Sequence, residues 1–170
     1  MREFGKNGFS LRGAPVGLRV VYGGFLLLIV PGLVSQAAFH VGRIGLSPSR
    51  IAAYYRGGDD GAVMTFPKTF GQLLEVTHAH AFTMSVVFLI LAHLFAASAV
   101  GDGTKRAVLA ATFVGLVGDL AAPWLVRYGA GWWAWIALLA WTLESAGMLT
   151  LVAVSGWECL GRVSRSSSRG

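Results

Sequence analysis

Cysteine occurs once in this chain, at Cys159. One thiol cannot close an internal disulfide, so a disulfide scaffold is excluded and cysteine usage says nothing about redox compartment. Charge is scarce too. Only 13% of the 170 residues are Asp, Glu, Lys or Arg, where soluble domains carry about 25%. That shortage excludes a soluble enzyme of ordinary composition and a disordered polar chain. There is also no glycine-rich nucleotide loop, no Ser-His-Asp arrangement and no zinc-finger spacing.

What fills the chain instead is apolar: 55% of residues, with a mean hydropathy of +0.62. A membrane-spanning helix needs about 20 mostly apolar residues. Four stretches qualify, over about 20–42, 72–100, 106–126 and 131–156. The runs 20–42 and 76–101 hold no charged residue, 107–126 holds only Asp119, and 128–157 only Glu144. These spans predict an all-α, integral-membrane four-helix bundle occupying residues 1–160 as one domain. The Ser/Arg-rich tail 161–170 is expected to be disordered. The first span follows a basic lead, as a signal peptide does, but its apolar run exceeds the usual 7–15 residues, so an uncleaved helix is expected.

The net charge of +6 would suit a nucleic-acid binder, but its distribution follows the spans. Arg2, Lys6, Arg12, Arg19, Lys105, Arg106, Arg162, Arg165 and Arg169 fall on one side, nine in all. Arg43, Arg50, Arg56, Lys68 and Arg127 make five on the other. The positive-inside rule then puts both termini in the cytoplasm of a bacterial inner-membrane protein. Lipid is the expected partner, with other membrane subunits or further copies of the chain, and no nucleic acid. Trp124, Trp132, Trp133 and Trp135 cluster where an outer aromatic belt would lie. Gly115, Gly118 and Gly147 are candidates for close helix approach, and Pro31 and Pro123 for kinks. In the first connection, Ser47-Pro48 reads as a helix start and Gly57-Gly58 as its stop, predicting a short amphipathic helix on the outer surface.

Ionisable residues inside a membrane are costly and point to function by default. All four histidines, His40, His78, His80 and His93, lie in or at the ends of spans. By depth, His40, Glu75, His78, His80 and Asp119 share an outer layer, with Glu144 nearer mid-membrane. Glu75 and His78 share one helix face, while His80 points to nearly the opposite side. Asp119 either joins this layer or pairs with Arg127. Glu144 has no cation at its depth and is expected either to be protonated or to pair with a histidine or hydroxyl, because an isolated buried charge neutralises.

Two imidazoles from different helices can clamp haem b, which makes His40, His78, His80 and His93 candidate cofactor ligands. Copper, zinc or iron held by His40, Glu75, His78 and His80 is the next option, and no cofactor at all is the plain alternative. Glu75, Asp119 and Glu144 would then be supporting or proton-handling groups. The 13-residue separation of His80 and His93 resembles the spacing in diheme cytochromes b, which need a second pair of histidines that this chain lacks.

The strings Glu75-Val76-Thr77-His78-Ala79-His80 and Asp119-Leu120-Ala121-Ala122-Pro123-Trp124-Leu125-Val126-Arg127-Tyr128 resemble those of a group of small bacterial four-helix membrane proteins. That likeness ties the two strings together and brings no activity with it. Three functions stay open: a haem- or metal-bearing accessory subunit of a redox complex, a structural or assembly subunit, and a small proton or ion pathway. None requires the chain to be an enzyme by itself.

Overall fold

The computed structural model describes residues 10–59 and 64–161. Helix α1 spans Val16–Phe39 and runs on into a π-helical turn, His40–Ile44. A short helix α2, Pro48–Arg56, follows. A two-residue antiparallel ladder pairs β1, Gly58–Asp59, with β2, Met64–Thr65. Then come α3, Phe70–Ala96, α4, Asp102–Tyr128, and α5, Trp133–Leu160. The four long helices have the length and composition to cross a membrane. They match the four expected spans, each displaced by a few residues at its ends. All but Gly161 of the expected tail lies outside the described residues.

Local chemistry explains the boundaries. Ser47 accepts a hydrogen bond from the Arg50 amide, and Pro48 opens α2. Gly45 (φ 90°) and Gly57 (φ 81°) flank that helix in backbone conformations that side chains resist. Thr69 and Gln72 form a reciprocal capping box at the start of α3.

Helix α5 is the hub. It packs most extensively on α4, and α1, α3 and α2 also rest against it. Glycine makes the α4–α5 seam. A methyl group built on Gly115 would sit 2.5 Å from the Glu144 amide nitrogen. On Gly118 it would sit 2.6 Å from Ala140 Cβ, and on Gly147 it would collide with the Thr112 side chain. The three glycines expected to permit close approach do so, all across one seam.

Two apolar clusters lie at opposite ends of the bundle. One, by the termini, includes Leu11, Leu26, Leu91, Phe95, Met148 and Leu151. The other, under the 45–69 connection, includes Ile44, Ile51, Tyr55, Val126 and Ala134. By contrast, Leu26 is the only buried residue of α1. Tyr22, Phe25 and Leu33 are partly buried against the first cluster, and most of the remaining apolar side chains of that helix are exposed.

Several basic residues close helix ends. Lys105 is buried, and its Nζ donates to the carbonyls of Ala96 and Ser98 at 2.8 and 2.7 Å. Arg19 donates to the carbonyls of Cys159 and Gly161, both at 2.7 Å. Arg56 donates to Val126 and Gly129 at the end of α4. Each satisfies carbonyls left over at a helix C-terminus and complements its dipole.

The seam makes a quantitative prediction. Because backbone atoms block Gly115, Gly115→Ala should destabilise the bundle by about 1–3 kcal/mol, a typical overpacking cost. Gly24→Ala, where nothing lies within 4 Å, should leave the unfolding midpoint in detergent unchanged or slightly raised, as followed by circular dichroism.

Candidate functional site

Between the two apolar clusters lies a polar centre built by three helices. The i, i+4 spacing puts Gln36 and His40 on one face of α1. The i, i+3 spacing does the same for Trp141 and Glu144 on α5. Asp119 comes from α4. Trp141 Nε1 donates to Asp119 Oδ1 at 2.7 Å. The His40 ring stacks on the Trp141 indole, with centroids 4.2 Å apart and planes inclined by 25°. Gln36 Nε2 donates to Glu144 Oε1 at 3.1 Å. Glu144 is 1% exposed, and its Oε2 has no hydrogen-bond partner among the described residues. Asp119 is near enough for its charge to act on both His40 and Glu144.

Asp119 and His40 thus both touch Trp141, one by a hydrogen bond and the other by stacking, and Glu144 lies one helical turn further along α5. His80, on α3, is exposed. Its Nδ1 is 3.1 Å from the Val76 carbonyl. A carbonyl can only accept, so this contact requires a proton on Nδ1 and leaves the lone pair on Nε2. The surface helix covers the same end of the bundle. Tyr55 is buried there, and burial holds its phenol above the ordinary value, with Tyr54 and then Asp119 adding to the effect.

The other expected residues fall elsewhere. Glu75 and His78 lie on the exposed side of α3, and the His78 ring meets Phe82 edge-on at 5.1 Å. His93, also exposed, lies toward the other end of α3, with its Nδ1 2.8 Å from the Leu89 carbonyl. Arg127 is not Asp119's partner. Its Nε donates to the Lys68 carbonyl at 2.8 Å, which draws the guanidinium toward the connection. The partner of Glu144 is an amide, not the histidine or hydroxyl expected of a paired carboxylate. Among the described residues, no three His, Cys, Asp or Glu side chains converge closely enough to hold a metal ion.

Two participants, Gln36 and Trp141, and one buried acid outside the centre, Glu158, were missed in the sequence. Gln36 is a lone amide in an apolar run, four residues before His40. Trp141 reads as one more bundle aromatic, although it stands three residues before Glu144. Those spacings were the available signals. Glu158, just beyond the expected end of the fourth span, is 3% exposed. It accepts from the Ala99 amide at 2.7 Å and lies 3.9 Å from Arg12 Nε.

A family model described as a transmembrane helical domain matches residues 45–166. The chain belongs to that family. Neither the curated proteins nor the solved structures yield a match. Family membership agrees with the resemblance drawn from the two sequence strings and with the all-α membrane architecture. The match covers α2 to α5 in full and leaves out α1, so Gln36 and His40 come from the unmatched part.

Trp141 joins two sides of the centre, which gives a direct test. Trp141→Phe keeps a ring for His40 to stack on but removes the donor to Asp119. A buried acceptor left unpaired costs about 1–3 kcal/mol. The unfolding midpoint should fall accordingly, whereas Trp132→Phe, at an exposed position, should leave it unchanged.

Proposed function

We propose that this chain is a proton-handling subunit of a bacterial inner membrane, working through Glu144, Asp119 and His40. The observation that carries this reading is Glu144. It is buried among apolar helices, with one oxygen held by Gln36 and the other unpartnered among the described residues. A carboxyl group retained only to join helices would be expected to have its hydrogen-bonding capacity met, as buried polar groups nearly always do. An ionisable group kept at such cost favours function over structure.

Two carboxyl groups and an imidazole within mutual electrostatic range offer sites to take up and release a proton. Gln36 and Trp141 orient the carboxyls, and the His40 ring is held flat on Trp141. The positive-inside count supports cytoplasmic termini, which would put the centre in the outer half of the membrane. The exposed face of α1 offers room for other membrane subunits or for further copies of the chain.

A second reading has one specific observation in its favour. His40 and His80 stand on different helices, His40 on the π-helical turn that ends the first span and His80 on α3. Two such imidazoles could serve a haem b, copper, zinc or iron bound with a partner's help, as part of a redox complex.

The test is proton flux in proteoliposomes carrying a trapped pH dye, driven by a potassium diffusion potential. Wild-type protein should acidify or alkalinise the lumen according to the sign of the potential. Glu144→Gln and Asp119→Asn should each lower the rate at least ten-fold while helix content is retained. Flux no faster than in empty vesicles, or flux untouched by both substitutions, overturns the proposal. A visible spectrum and metal analysis of the same preparation decide the second reading. Cofactor lost on His40→Ala or His80→Ala would support it, and a colourless, metal-free protein would count against it.

A further inference from the structure

Beneath the 45–69 connection lies a pocket of about 520 Å³, within the range of small-molecule sites. Its lining combines two chemistries. Arg43, Arg50 and Lys68 supply three cations, and no carboxylate is among the described lining residues. Ile44, Phe66 and Pro67 supply apolar wall.

The elements explain the convergence. Arg43 stands on the π-helical turn that ends the first span, Arg50 on the surface helix, and Lys68 just before α3 enters the bundle. The Lys68 ammonium already rests over the Tyr54 ring, 4.2 Å from its centroid, so it is held in place at the pocket. Arg43 and Arg50 are exposed. Among the described residues the one ion pair is that of Arg12 with Glu158, so neither guanidinium is neutralised by a described carboxylate.

The pocket therefore concentrates positive charge where one span ends and the next begins, the part of a spanning helix that ordinarily meets lipid headgroups. Guanidinium groups bind phosphate oxygens through paired donors. From this geometry we infer that the pocket binds the phosphate of an anionic phospholipid, with Arg43 and Arg50 on the phosphate oxygens. Phe66 and Pro67 would meet the glycerol and the first acyl carbons. Such a lipid would tie the end of α1 to the start of α3, which the fold brings together across the pocket. This inference is independent of proton handling and concerns different residues.

The test uses the purified full chain in neutral detergent, with equal mole fractions of phosphatidylglycerol and phosphatidylcholine, and native mass spectrometry to count retained lipid. Phosphatidylglycerol should be retained at least ten-fold over phosphatidylcholine. The preference should vanish in an Arg43→Gln/Arg50→Gln double variant, fall several-fold in Arg43→Gln alone and persist in Arg106→Gln. Both target side chains are exposed, and circular dichroism verifies that the variants fold. No preference in the wild type, or a preference that survives the double variant, overturns the inference. So does displacement of the lipid by inorganic phosphate at equal concentration, which would mark a site for the free ion.

Discussion

The close approach of α4 and α5 is the contact on which the rest of the structure depends. In a membrane, lipid tails are as apolar as the helices, so association rests on packing and on hydrogen bonds between helices. Gly115, Gly118 and Gly147 remove the side chains that would hold the two backbones apart. With the seam closed, Trp141 comes within hydrogen-bonding distance of Asp119, and Glu144 comes against Gly115. The other long helices then add to a ready-made pair. Helix α1 and the π-helical turn that follows it bring Gln36 and His40 onto Glu144 and Trp141 of α5.

Polar interactions in the bundle are divided by position. At the ends, Lys105, Arg19 and Arg56 donate to helix-terminal carbonyls, a task that any membrane helix must solve. Between the apolar clusters the polar groups are acids, an amide, an indole and an imidazole, and no lysine or arginine is hydrogen-bonded to them. A cation beside Glu144 would have made it a fixed ion pair. An amide holds the carboxyl in place and leaves its protonation to the surroundings.

Much of the architecture was legible in the sequence because spans, glycines and caps are local signals. Four long apolar runs became four long helices, and Ser47-Pro48 with Gly57 bounded α2. That His40 and Asp119 lie at one depth was readable along each span. Rotation about each helix axis was not readable, because apolar residues surround most of these helices and no stripe marks the inner face. Thus Glu75, His78 and His80, at the depth expected for an outer layer, all have exposed side chains. The π-helical turn beginning at His40 was equally hidden. The partner of Arg127 was missed because a free carbonyl at Lys68 becomes visible only once the connection is folded.

The dependence of α1 on α5 has a consequence for biogenesis. A ribosome delivers α1 first and α5 last. The hydrogen bonds from α1 to the body of the protein, those of Gln36 and Arg19, end on or just past α5. During synthesis, then, a helix carrying an amide and a guanidinium must wait for its acceptors until the whole chain has emerged. An insertion factor that shields polar groups in nascent helices would act in that interval, and a chain truncated before α5 would leave both groups without those acceptors.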